Sequence, residues 1–152
     1  RCSPAVGSAA GSVGWLIRPG SPLGPRLPER AMLQVCCVAK SDYDWSHHVK
    51  VGTDFGLNAA EIEAVKRETA GEATDLPEIY RLALKGAREM ANDGAMAEST
   101  YAALAKDLAH PLMVELVIVI AFYCGVVRLL ASLGIDVEDS YQPHLDAHPL
   151  PD

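Results

Sequence analysis

Basic runs are missing from this sequence. Its 13 Lys and Arg residues lie scattered among 20 Asp and Glu, for a formal net charge of -7 over 152 residues. A nucleic-acid partner needs a concentrated cationic face for phosphate contacts, so neither DNA nor RNA is expected as a partner. Cysteine is scarce and badly spaced for ligation: Cys2, Cys36, Cys37 and Cys124 fit neither a metal knuckle nor a dense disulfide framework. No metal and no cofactor are expected, and a reducing cytoplasmic compartment is the default. Long hydrophobic runs are also lacking. The strongest, Leu116 to Val127 between Glu115 and Arg128, holds 12 residues, whereas a membrane span needs about 20. It reads as a buried core helix, with no membrane association expected. Residues 3 to 14 are small and weakly apolar, but the Gly and Ser among them make a poor signal-peptide core.

What is present is enough apolar material, 49% of the chain, for one core of ordinary domain size. Residues 1–27, rich in Gly, Ser, Pro and Ala, read as an irregular arm that Trp15, Leu16 and Ile17 anchor on the body. Residues 28–152 read as a single all-helical domain. A first helix starts near Pro28, with Glu29 at its positive end, and runs to about Lys40; its apolar positions go most of the way round, so it should be largely buried. A second, capped by Ser41 or Asp42, carries Tyr43, Trp45, His48 and Val49 until Gly56 stops it. Asn58 caps a third, Ala59 to about Thr69. Another runs from around Pro77 to the turn signal Asn92-Asp93-Gly94. A shorter one opens at Glu98 and carries Tyr101, Leu104 and Leu108, and a long apolar one extends from His110-Pro111 to Gly134. The tail from Ile135, with Pro143, Pro149 and Pro151, reads as extended. No segment sustains period-two alternation, so the fold class is all-α, a compact bundle of about six helices.

By residue type, the segment with chemical content contains Glu29 at one helix start and His47 and His48 on the next helix. Adjacent helices can bring Glu29 and one histidine together as an acid–base pair, the shared hydrogen bond fixing the imidazole tautomer. The plainer alternative leaves the glutamate solvated and both histidines on a helix surface. His47 and His48 point about 100° apart on a helix, so they cannot face one pocket equally.

This stretch resembles the carboxymuconolactone decarboxylase family, in which a Pro-Arg-x-x-Glu element precedes Tyr-Glu-Trp-x-x-His and then Gly-Leu. The counterparts here are Pro25, Arg26 and Glu29, then Tyr43, Asp44, Trp45 and His48, then Gly56 and Leu57. The order of Glu29 and His48 is also similar to the alkylhydroperoxidase D pattern of Glu, Cys-x-x-Cys and His. Glu115 to Tyr123 resembles the family's long core helix, and Tyr141 to Leu145 its tail, so the likeness covers roughly residues 23 to 152. It implies a helical fold, a homo-oligomer (trimer or hexamer), and a catalytic set of Glu29, His48, Tyr43 and Asp44 acting on a small-molecule substrate, an organic acid or lactone. His48 would relay a proton, Glu29 would orient it, and Asp44 would be a second acid or base; His48 rather than His47 follows from the family match alone.

The departure from the pattern is that Ser41 and Asp44 stand where the peroxidase branch has its two cysteines. Neither supplies a thiol, and a dithiol cycle needs two in bridging reach, one activated as thiolate. Cys36 and Cys37 read instead as small hydrophobes on a buried helix. Tyr80, Tyr101 and Tyr123 read as core. Metal-free decarboxylase-like chemistry is therefore expected, with a peroxiredoxin-type antioxidant enzyme and a non-catalytic binding or assembly module as the alternatives.

Overall fold

A computed structural model describes residues 22–151; of the expected arm, residues 1–21, with Cys2, Trp15, Leu16 and Ile17, lie outside the described residues, while residues 22–25 form a turn and Arg26 and Leu27 already belong to the first helix. Seven helices and no strands occur among the described residues: α1 (Arg26–Ala39), α2 (Asp42–Asp54), α3 (Ala59–Thr69), α4 (Glu78–Asp93), α5 (Glu98–Leu104), α6 (His110–Ser132) and α7 (Gln142–Ala147).

The helix α1 is central. Every residue from Leu27 to Cys37 is buried, and the helix packs against α2, α3, α4 and α6. Full burial follows from its sequence, which carries apolar side chains nearly all round, but it also traps Glu29, Arg30 and Gln34, each 2% exposed or less. Buried polar groups persist only with partners, and α2, α3 and α4 supply them. Glu29 meets His48 of α2; Arg30 bonds to Glu61 of α3 and lies 4.0 Å over the Tyr80 ring of α4. Gln34 bonds Thr69 of α3 at 2.7 Å and Arg88 of α4 at 2.8 Å. These polar contacts fix how α2, α3 and α4 sit on α1, while α6 packs on it through apolar side chains.

Local signals set the helix ends. The chain leaves α1 with Lys40 in the left-handed region at φ 51°, its amide bonding to Cys37 and that of Ser41 to Cys36, a Schellman closure. The Ser41 side chain caps α2. Asn58 and Glu61 form a reciprocal capping box on α3, at 3.0 and 2.9 Å. With no cap of its own, α5 borrows Glu89 from α4, which accepts from the Ala97 amide and the Thr100 hydroxyl.

Two expectations need correction. Leu108 lies beyond α5, which stops at Leu104. The tail is not extended, because residues 142–147 form α7 and fold back on α2. Pro143 in its first turn costs nothing where amides have no intrahelical partner. Trp45 donates its indole N–H to the His148 carbonyl at 2.6 Å, His148 reaches Glu63 at 2.8 Å, and Lys66 donates to the Pro149 carbonyl at 3.0 Å.

Finally, α6 is buried on one face only. Met113, Leu116, Ile120 and Val127 enter the core, while Val114, Ile118 and Leu129 are 43%, 50% and 54% exposed. It has 23 residues, and an 18-residue stretch of it has a mean hydropathy of 2.3, so it is long and apolar enough to cross a membrane by length and composition, although its inner face is committed to the core around α1.

Candidate active site

The carboxylate of Glu29 lies 2.8 Å from Nδ1 of His48, with both residues buried, at 2% and 5% exposure. The geometry comes from helix phase: Glu29 occupies the first turn of α1, His48 the middle of α2, and the short turn at Lys40 folds the two helices against each other. Because the carboxylate accepts, Nδ1 carries the hydrogen, which leaves Nε2 as the ring's other functional atom. Among the described residues Nε2 has no hydrogen-bond partner. The ring is held on a second side by Tyr123 of α6, edge to face at 4.7 Å and 84°, and Tyr123 in turn packs on Met32 and Val119. The arrangement is an oriented imidazole in apolar surroundings, able to take or give one proton at Nε2.

The other two expected site residues lie elsewhere. Asp44 is one helical turn before His48 and buried at 4%, but it accepts the Ser41 hydroxyl at 2.7 Å rather than a contact from His48. Tyr43 turns away from the pair. Its hydroxyl donates to Glu138 at 3.1 Å, and its ring stacks on His47 at 4.3 Å, which stacks on Tyr141 at 3.6 Å. Burial first, and then the bond and charge of Glu138, push the Tyr43 phenol above its ordinary value. Thus His47 serves the contact with the tail while His48 serves Glu29, as their angular separation on one helix requires.

Thiol chemistry is disfavoured throughout the described residues. Burial pushes the Cys36 thiol well up, and the charges of Asp44 and Glu29 push the same way. Burial also raises Cys37 and Cys124, against smaller opposing contributions from neighbouring side chains. Among the described residues no three His, Cys, Asp or Glu side chains are placed to hold a metal ion.

Sequence reasoning missed Tyr123 as a neighbour of His48, since an aromatic on an apolar helix reads as core, and it missed Arg30. Arg30 is wholly buried beneath Arg26, Glu61 and Tyr80. The only available signal was Arg30 falling inside a run of positions that helical phase buries.

By sequence, no known family and no curated protein matches the chain. By structure, it superposes on a crystal structure from Agrobacterium tumefaciens of a protein of unknown function, suggested there to be the antioxidant defence protein AhpD. The TM-score is 0.78 at 17% identity, over 90% of this chain and 92% of that one. It also superposes on the debrominase Bmp8, solved as a cysteine-to-alanine variant with 2,3,4-tribromopyrrole, with TM-score 0.79 and 21% identity over 95% of this chain and 76% of that one. The agreement covers nearly the whole chain, and on it this protein has the all-helical fold of the alkylhydroperoxidase D-like proteins.

Proposed function

We propose that the chain is a carboxymuconolactone decarboxylase-like enzyme that performs acid–base chemistry at Nε2 of His48 on a small organic acid or lactone. The observation that carries this reading is the buried 2.8 Å contact between Glu29 and His48 Nδ1, which leaves Nε2 available. In decarboxylation, the electron pair of the breaking carbon–carboxylate bond moves into the substrate's own carbonyl. Protonated His48 then returns a proton from Nε2 to the carbon that lost carbon dioxide, and solvent reprotonates the ring. Glu29 stabilises the charged imidazolium and holds its orientation, while Tyr123 supplies an apolar wall that keeps water off the reacting carbon.

The antioxidant suggestion attached to one structural neighbour invites a peroxidase reading, but Ser41 and Asp44 and the buried thiols of Cys36 and Cys37 oppose it. The exposed apolar face of α6 supports a homo-oligomer, trimeric or hexameric in keeping with the resemblance. The test is carbon dioxide release from a panel of unsaturated lactone and keto acids, with His48→Gln as the control. Release that persists in this variant rejects His48 as the acid, and a protein inert on every member is left as a binding module.

A further inference from the structure

A cavity of about 350 Å³ lies at the start of α1, between the turn at residues 22–25, α4, and the α5–α6 junction. Neither Glu29 nor His48 lines it, so it is distinct from the acid–base pair. Other cavities among the described residues, of about 220 to 250 Å³, fall short of the roughly 300 to 1,000 Å³ usual for small-molecule sites, whereas this one falls inside that range. Its walls are mostly apolar, with Leu27, Ile79, Leu108 and Leu112 among them, and its one charged lining residue among the described residues is Arg26. Among the described residues no carboxylate lines it.

The charge arrangement behind the wall is unbalanced. Arg26 and Arg30 share a single carboxylate, that of Glu61. Arg30 is wholly buried, its Nε lacks a hydrogen-bond partner among the described residues, and its guanidinium lies 4.0 Å over Tyr80, whose ring forms part of the cavity wall. Desolvation is the main influence pulling the Arg30 guanidinium below its ordinary value, and Arg26 adds to it against the opposing pull of Glu61. Arg30 is the desolvated cation of the two, whereas Arg26, 45% exposed at its side chain, keeps its guanidinium in reach of solvent and of the cavity alike. An apolar chamber with one guanidinium in its wall selects a ligand with an anionic head and a hydrocarbon body.

We propose that this cavity binds a small apolar carboxylate, its body against Leu27, Ile79, Leu108 and Leu112 and its head at Arg26. The site stands independently of the acid–base reading. The test is isothermal titration of the full chain with octanoate and with its uncharged isostere octanamide. Octanoate binds at one site per chain, about ten-fold more tightly than octanamide, the margin of a charge-assisted hydrogen bond. Arg26→Gln removes that margin. Leu112→Trp, which fills the chamber from a half-buried wall position, abolishes binding of both while circular dichroism shows the helices intact. His48→Gln leaves binding unchanged, so failure at the acid–base pair is separable from failure here. Equal affinities for the two ligands, undiminished binding in Leu112→Trp, or loss of octanoate in His48→Gln overturns the proposal.

Discussion

Ser41 donates its hydroxyl hydrogen to Asp44 at 2.7 Å inside the first turn of α2. By the resemblance to the peroxidase pattern, these are the positions expected to hold its cysteine pair. A separation of three residues at a helix start brings two side chains into contact whatever they are; with two thiols that contact is a disulfide, and with a hydroxyl and a carboxylate it is a hydrogen bond.

No thiol-dependent peroxidase cycle is expected, because Cys36 and Cys37 are buried and Cys124 is partly so, and burial pushes all three thiols up, away from the thiolate. Reduced protein mixed with an organic hydroperoxide should not consume it. Steady peroxide loss that disappears in Cys36→Ser or Cys37→Ser would reverse this conclusion.

Removing the Ser41 hydroxyl should destabilise the fold. The Asp44 amide loses its cap at 3.4 Å and the buried Asp44 carboxylate loses its donor. Ser41→Ala should cost about 1–2 kcal/mol in urea unfolding. A loss below about 0.5 kcal/mol, the low end for such caps, would mean that water replaces the hydroxyl at no cost.

Glu29→Gln and His48→Gln should each lower turnover of a cognate substrate by about 100- to 10,000-fold, the usual range for acid–base catalysis. The double variant should be little worse than either single one, since both residues act through one proton transfer. Multiplicative losses would show that the two side chains act separately despite their 2.8 Å contact.

Multi-angle light scattering should find an oligomer, because the apolar stripe of Val114, Ile118 and Leu129 on α6 is exposed in the single chain. Ile118→Glu and Leu129→Glu should each reduce the mass. A monomer at micromolar concentration in the unaltered protein is the contrary result.

Acid should weaken the fold through Glu61. Burial works to raise its carboxyl, but the Asn58 amide and the Arg30 and Arg26 guanidiniums outweigh it and the net shift is downward. A carboxyl depressed in the folded state binds fewer protons there than when unfolded. Its stabilisation is therefore present above the ordinary glutamate value, about 4.3, and is lost as pH falls through the lower folded value. Urea midpoints should drop less steeply below that point in Glu61→Gln than in the parent, although Glu63, depressed in the same direction against its own burial, keeps part of the slope. Parallel acid profiles would show that the Arg26 and Arg30 pairing adds nothing to folding.

The sequence by itself determined the class and most of the helix boundaries, because period, caps and glycine stops are local. Ser41, Asn58 and the glycines at 56, 94 and 134 end or begin helices where their chemistry requires. It also held the pairing of Glu29 with His48, through an element order that resembles a known pattern. Only the tertiary structure decided which polar residues share a site. Tyr43 and Asp44 sit beside His48 in sequence, yet one turns to Glu138 and the other to Ser41, since those partners arrive from a distant tail and from the preceding cap. The docking of α7 and the burial of Arg30 were illegible for the same reason. Each depends on long-range contacts, from Trp45 to His148 and from Arg30 to Glu61 and Tyr80, and neither periodicity nor composition encodes a partner that far away along the chain.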